Sequence, residues 1–468
     1  MKKITIHERD NVVVCIEGEL SGHKIAKRDI KKGENVIKYG YPIGYATCDI
    51  KEGEHVHTHN TKTNLDGILE YTYEPQLSEE KKAETAYFDG YKREDGSVGV
   101  RNEIWIIGTV GCINKTAQLI VDKAKAKYPD MEICTFNHPF GCSQLGDDHA
   151  TTQKVLKGLI NHPNAGGVLV LGLGCENNNI PEFKKVLGEV NEKRVKFLVA
   201  QEVNDEVAVG LELIDELVAY AKTFKREKCP VSALTVGLKC GGSDGFSGIT
   251  ANPLVGRFSD RIIEMGGSTV LTEVPEMFGA ETILMNRCVN KEVFDKTVSL
   301  INDFKEYFMR YNQVVYENPS PGNKKGGITT LEDKSLGCVQ KGGSANVKDV
   351  IEIGDSVKVQ GLNLLTGPGN DIVAVTNLAA SGCQIILFTT GRGTPVGAPV
   401  PTVKVATNTA LAENKSNWID YNAGPILEDK DITEDFVNYV LEVASGKKTN
   451  NEINGYKEIS IFKDGVTL

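Results

Sequence analysis

IWIIGTVGC at 104–112, VLVLGLGC at 168–175 and ALTVGLKC at 233–240 share one design: an apolar run, a glycine turn, then a cysteine. Short apolar runs closed by glycine read as strands buried on both faces, as in a parallel sheet. In an open α/β sheet, ligands bind in the crevice beyond the carboxyl ends of the strands. Cys112, Cys175 and Cys240 are therefore delivered to where chemistry is done, and the design points to an enzyme.

Working outward from these runs, strands are predicted over 103–109, 131–136, 167–172 and 196–201, with helices near 113–127, 150–160 and 203–223. Alternation of this kind builds a parallel sheet with crossover helices. A second α/β block opens near Cys229, with strands at 231–238, 268–273, 362–366, 384–389 and 402–406. Within it, LNLLTGPGNDIVAV (362–375) reads as the start of a βαβ unit. Gly367 and Gly369 fit a tight strand-to-helix turn better than a dinucleotide site, because the spacing is not GxGxxG and no acidic residue closes a second strand. Asp431 and Glu434 form a capping-box pattern ahead of a helix carrying Phe436, Val437, Val440, Leu441 and Ala444.

The first 72 residues have a different texture, with short β-like runs between glycine turns. DIKKGENV (29–36) recurs twenty residues later as DIKEGEHV (49–56), and Gly33 and Gly53 fit turns of positive φ. Residues 73–90 are charged and lack a sustained apolar face, as a linker would. The fold class is α/β: a small N-terminal all-β domain (1–72), a linker (73–90), a central α/β domain (91–228) and a Rossmann-like C-terminal α/β domain (229–468).

A net charge of −10 disfavours nucleic acid and anionic membrane surfaces as partners. No run reaches the roughly 20 apolar residues of a membrane helix, and the opening MKKITIHERD has no signal-peptide core, so a cytoplasmic location is expected. Eleven irregularly spaced cysteines without a CxxC pair leave metal binding, catalysis or inert burial rather than a disulfide framework.

Four segments offer chemistry. In GEHVHTHN (53–60), a strand would put His55, His57 and His59 on one face, a donor set suited to a divalent metal or to proton transfer. FNHPFGCSQLGDDHA (136–150) gathers Cys142, Asp148 and His149 in a glycine-rich loop, where an aspartate could instead cap the next helix. LGLGCENN sets Cys175 and Glu176 after a strand. LKCGGSDGFSGITANP (238–253) exposes backbone N–H groups beside Lys239, Ser243 and Asp244. Arg101, Asn102, Lys324, Lys334 and Arg392 add groups able to grip a carboxylate. The candidate catalytic groups are thus His57, His59, Asp148 and His149. Cys112, Cys142, Cys175, Cys240 and His59 are candidate metal ligands. The ligand these groups suit is a small polar anion.

These motifs, together with GYKREDGSVGVRNE (90–103), EVPEMFGAE (273–281), NPSPGNKKGGITTLEDKSLGC (318–338) and FTTGRGTPVG (388–397), resemble the altronate/galactarate dehydratase family. IKYGYPIGYATCDIKEGEHVHTHNT (37–61) looks like the SAF-type β-clip domain of those enzymes. The resemblance runs from end to end. It implies a hydro-lyase of hexuronate breakdown that converts D-altronate to 2-dehydro-3-deoxy-D-gluconate, with galactarate or another sugar acid as the alternative substrate. It also implies dependence on ferrous iron, with manganese as a substitute. A [4Fe–4S] cluster on strand-end cysteines is the rival cofactor, and a sugar-acid sensor is the reading outside enzymes. Homo-oligomerisation stays open.

Overall fold

The two copies of the DIK repeat fold against each other. In the computed structural model, which describes residues 2–468, Asp29 accepts from the Glu52 amide at 3.0 Å. Asp49 accepts from the Lys32 amide at 2.9 Å, and Ile30 and Ile50 form a β-bridge. Each aspartate thus closes the turn of the other copy. Gly33 (φ +84°) and Gly53 (φ +82°) have open space around them, so backbone conformation alone requires glycine there. Around this pair lie two antiparallel sheets. Strands β1 (Lys3–Ile4), β2 (Val12–Cys15), β3 (Lys24–Ala26) and β6 (His55–Val56) form one, in that order. Strands β4 (Asn35–Lys38), β5 (Tyr41–Ala46) and β7 (Thr61–Lys62) form the other.

Residues 64–86 carry no regular structure, yet they are not loose. They run across the C-terminal domain as a strap, with Tyr73 Oη donating to the Cys288 carbonyl (2.7 Å), Gln76 N to Asn286 (2.7 Å) and Ala83 N to Glu264 (2.9 Å). The strap ends in β8 (Tyr87–Lys92), which pairs with β9 (Val98–Gly99) and later with β14 (Glu227–Pro230).

The central domain is a parallel sheet in the order β11–β10–β12–β13, from β10 (Glu103–Gly108), β11 (Ile133–Thr135), β12 (Ala165–Gly172) and β13 (Val195–Val199). Helices α1 (Asn114–Lys127), α2 (Gly146–Ile160), α3 (Ile180–Leu187) and α4 (Glu206–Ala221) cover it. Helix α2 begins four residues before the expected start, because the aspartates lie within its first turn. The C-terminal domain holds a seven-stranded parallel sheet ordered β17–β18–β16–β15–β19–β20–β21. Its strands are β15 (Thr235–Cys240), β16 (Ser268–Leu271), β17 (Val347–Ile351), β18 (Gly361–Leu365), β19 (Ile385–Thr390), β20 (Thr402–Ala406) and β21 (Tyr421–Asn422). Its helices are α5 (Ala251–Glu264), α6 (Glu281–Met285), α7 (Lys291–Arg310), α8 (Pro321–Lys325), α9 (Leu331–Cys338), α10 (Asp371–Ala380), α11 (Thr409–Asn414), α12 (Thr433–Ala444) and α13 (Asn450–Ile453).

The expected βαβ unit is β18–α10–β19, and Asn370 caps α10 by accepting from the Val373 amide at 3.2 Å. Before α12 the expected capping box does not form. Asp431 accepts from Thr433, but Glu434 turns outward to Arg261. Helices α2 and α10 pack so closely that a Cβ on Gly158 would meet the Ala380 carbonyl at 2.2 Å. A single apolar core joins Val36, Ile43 and Val56 of the β domain to Phe258, Leu331 and Leu336 of the C-terminal domain. No helix among the described residues is long and apolar enough to cross a membrane.

Arg101, expected at a substrate, is a structural residue in this fold. Its guanidinium grips Glu452 through two bonds (2.6 and 2.9 Å) and donates to the Val100 and Val443 carbonyls. Asn102 likewise accepts from Arg93 and donates to Ala221. Burial alone would raise the Glu452 carboxyl, but the Arg101 bonds and charge outweigh it and hold the group at about 2. The folded value lies below the unfolded value of about 4.3, so the stabilisation is complete above that pH and is lost as pH falls through about 2. It amounts to ~3 kcal/mol. Glu452→Gln should therefore flatten the acid limb of a melting temperature against pH curve between about pH 4 and 2. An unchanged limb would remove this pair from the acid response.

Candidate active site

An asparagine, rather than a strand, gathers the histidines. Strand β6 ends at Val56, and Asn60 folds the next residues into a turn. Its Oδ1 accepts from the His57 amide (2.9 Å), its Nδ2 donates to the His55 carbonyl (2.9 Å), and its own amide bonds to the His57 carbonyl (3.0 Å). The expected single strand face of His55, His57 and His59 is therefore corrected. The third imidazole of the group is His23, because the β3–β6 register (Lys24 opposite Val56, Ile25 opposite His55) brings it alongside His57. His23 Nδ1 lies 3.1 Å from His55 Nε2, and a ligand nitrogen from each of His23, His55 and His57 falls within 4.8 Å of the other two. His59 is exposed, with its ring 5.4 Å from that of His55. Burial, followed by the neighbouring positive charges, pushes His55 and His57 down to about 4. At neutral pH the imidazoles are uncharged, with lone pairs free for a metal.

The segment 318–338 connects this group to the C-terminal domain. The Lys325 carbonyl sits 3.2 Å from His23 Nε2, and Thr329 Oγ1 lies 3.1 Å from His57 Nδ1. Asp333 accepts from Lys24 (2.7 Å) and Lys38 (2.9 Å), all three fully buried. Burial drives Lys24 down to about 8 against the pull of Asp333. Asp333, which burial alone would raise, is held well below the ordinary carboxylate range by the two ammonium groups.

The same segment also walls a cleft of about 570 Å³, lined by Gly241, Gly242, Glu276, Lys324, Lys334 and Asp371 among others. Lys334 Nζ donates to Glu276 Oε1 at 2.7 Å and to the side chains of Asn318 (3.1 Å) and Asn323 (3.4 Å). Behind it, Glu276 Oε2 accepts from Cys240 Sγ (3.2 Å) and Cys338 Sγ (3.1 Å), whose sulfurs stand 3.3 Å apart. Lys341 Nζ donates to Cys240 Sγ at 2.9 Å and pairs with Glu273 at 3.3 Å. Glu273 adopts φ +71°, a left-handed backbone uncommon outside glycine, and the strain sits at this buried charge network. Burial would raise Glu276, but Lys334, Lys239 and Lys341 hold it ionised, while Glu276 holds Lys334 protonated against its burial. Lys334 is therefore a fixed ammonium group at the wall of the cleft.

Three family models cover nearly the whole chain: the SAF domain of altronate/galactarate dehydratase at residues 20–64, the second domain of D-galactarate dehydratase/altronate hydrolase at 90–222, and the C-terminal domain of D-galactarate/altronate dehydratase at 231–467. The chain belongs to the galactarate/altronate dehydratase family. It is 55% identical to an altronate dehydratase of Bacillus subtilis, over 99% of each chain. It is 50% identical to an altronate dehydratase of Escherichia coli, over 100% of each. It is also 32% identical to the galactarate dehydratase (L-threo-forming) of Escherichia coli, over 95% of this chain and 93% of that one.

In this family member the expected site residues fall into separate places. Lys324 and Lys334 line the cleft, and the backbone of Arg392 bonds to the Gly242 carbonyl at 3.0 Å while its side chain is exposed near Gly322. Ser243 Oγ is buried without a partner beside the cleft loop, where Asn323 Nδ2 donates to the Ser243 carbonyl at 2.8 Å. Asp244 is spent on its own loop, accepting from Phe246 N, Ser247, Thr407 and Asn408. Lys239 is fully buried between Glu273 and Asp371 (2.9 Å), so its charge serves those carboxylates. Asp148 clamps the tail by accepting from the amides of Asp464 (2.8 Å) and Gly465 (2.7 Å), and the neighbouring His149 has a buried Nδ1 without a partner. Cys112, Cys142 and Cys175 remain exposed on the central domain, apart from buried Cys240. The four thiols thus do not form one set.

Sequence reasoning passed over His23, Lys24, Lys38, Glu273, Glu276, Cys338 and Lys341. Their segments were visible as motifs, but no spacing rule pairs residues hundreds of positions apart. A charged pair such as Glu273 and Glu276 beside a strand end was the one local signal.

Proposed function

We propose that the chain is an altronate dehydratase, a hydro-lyase that takes the C2 proton and the C3 hydroxyl from D-altronate to yield 2-dehydro-3-deoxy-D-gluconate and water. What carries the reading is three uncharged imidazoles gathered on the segment that also walls a lysine-bearing cleft, in a chain alike end to end with altronate dehydratases. His23, His55 and His57 fit a divalent ion such as ferrous iron or manganese, since imidazole nitrogen suits both. When bound, such an ion supplies Lewis-acid stabilisation of the charge that develops on the substrate's carboxylate end, several kcal/mol in size.

The protein's own groups do the rest. Lys334, held protonated by Glu276 and oriented by Asn318 and Asn323, binds the carboxylate and opposes the negative charge that builds up as the C2 proton leaves. Lys324 and Arg392 hold the distal oxygens of the chain-form acid. Ser243 offers its unpartnered hydroxyl to a substrate oxygen. His59, exposed beside His55, moves the proton, a role typically contributing about 10²–10⁴-fold.

The test is a panel of aldonates and aldarates, including altronate and galactarate, assayed for 2-keto acid after chelation and after re-addition of ferrous or manganous ion. Turnover of altronate that disappears with chelation and returns with metal is expected. Undiminished turnover in metal-free protein would end the Lewis-acid reading, and turnover of galactarate alone would reassign the substrate.

A further inference from the structure

Lys324, Lys334 and Asn323 line the cleft with ammonium and amide N–H donors, which suit the carboxylate of a sugar acid. Such an acid also carries several hydroxyls, and their protons need an acceptor. Of the carboxylates at the cleft, Glu276 is fully occupied: Lys334 takes Oε1, and the Cys240 and Cys338 thiols take Oε2. Glu317 lines the same cleft but is exposed to solvent.

Asp371 differs from both. It is the first residue of α10, directly after the Asn370 cap, and its side chain is 34% exposed. Lys239 Nζ, fully buried, lies 2.9 Å from Oδ1, while Oδ2 makes no hydrogen bond among the described residues. Gly241 makes the place for this carboxylate, since a Cβ there would lie 2.8 Å from each of its oxygens. A Cβ on the adjacent Gly242 would lie 3.5 Å from Arg392 Cβ. Two consecutive glycines therefore seat a carboxylate and an arginine side by side, just past the carboxyl end of β15, where ligands of such sheets bind. Lys239 already has Glu273 as a counter-ion, so ion pairing alone does not account for a second carboxylate that stays open to the cleft.

An aldonate has one carboxylate and a hydroxymethyl end, whereas an aldarate has a carboxylate at both ends. Lys324, Lys334 and Arg392 attract a carboxylate at either end, so they cannot separate the two classes. Discrimination between such similar ligands needs a repulsive element as well as attractive ones. A fixed carboxylate supplies it, accepting from hydroxyls and opposing a second negative charge.

We propose that Asp371 is a specificity-determining residue: Oδ2 accepts from a hydroxyl of the bound acid, and the charge turns away acids with a carboxylate at each end. This inference rests on the dehydratase reading of the cleft and names its substrate class as aldonates.

The test is Asp371→Asn in the full-length protein, with kcat/KM for altronate and galactarate measured on metal-loaded enzyme. Dissociation constants for both acids are measured by calorimetry on the chelated protein. The preference for altronate over galactarate should fall by about tenfold or more in both measures. Asp371→Glu, which keeps the charge, should retain the preference, and Glu317→Gln should move it by less than about twofold, as for an exposed charge. Asp371→Ser serves as the neutral variant if the asparagine does not fold, as judged by melting temperature. A purely structural Asp371 would weaken both acids together and leave the preference unchanged. That result would overturn the proposal, as would an equal shift in Glu317→Gln, a wild type that prefers galactarate, or a wild type that binds neither acid. A shifted binding preference without dehydration of either acid would uphold the role of Asp371 and remove the dehydratase reading instead.

Discussion

His57→Ala is expected to lower kcat on altronate by about 10²–10⁴-fold and to reduce bound metal in the same preparation. The size follows from the several kcal/mol a Lewis acid contributes, each 1.36 kcal/mol being a factor of ten. His57 is one of three imidazoles whose ligand atoms lie within 4.8 Å of one another, so its loss leaves two donors where three stood. His59→Ala separates ligation from proton transfer. It should lose a comparable share of turnover with its metal content intact, because His59 stands outside the group of three. Metal analysis beside steady-state kinetics decides the point. Wild-type kcat in His57→Ala would remove the histidine group from catalysis, and metal loss in His59→Ala would make it a ligand.

Asp333→Asn is expected to cost about 3–5 kcal/mol, the range for breaking a buried ion pair by removing one partner. The carboxylate is the shared counter-charge of Lys24 and Lys38, and neither ammonium has solvent to turn to. The same oxygen that meets Lys24 also accepts from the Thr329 amide at 2.9 Å, and Thr329 contacts His57. Loss of the charge should therefore loosen the β domain from helix α9 and displace the histidine group, lowering the melting temperature and turnover together. Replacing the set as Lys24→Met, Lys38→Met and Asp333→Leu should restore much of the melting temperature, since apolar substitutes for buried ion sets are often neutral or better. If Asp333→Asn melts with the wild type, the pairs do not bind the domains together.

Much of the fold was legible because its causes are local. The strands at 103–109, 167–172, 384–389 and 402–406 appear within a residue or two of where apolar runs and glycines put them. The same holds for the β character of the first 62 residues and the twenty-residue repeat. The site was legible only as motifs. Lys324 and Lys334 line the cleft and His57 joins the histidine group, whereas Arg101, Asn102 and Asp244 are held by other parts of the fold. Residue type could not tell these apart, since a carboxylate-binding arginine and an arginine pairing Glu452 read alike in sequence.

Local pattern by itself determined the α/β architecture and the glycine turns, and the motifs along the whole length carried the likeness to a family of sugar-acid dehydratases. These follow from strand periodicity, from φ, and from runs of residues read in order. Only the tertiary structure decided which groups meet. His23 joined His55 and His57 through antiparallel register, and Asp333 found Lys24 and Lys38 some 300 positions away. Cys240 went to Cys338 and Glu276 rather than to the three exposed thiols. Such pairings depend on how sheets and helices stack, and burial then makes each charge find its opposite.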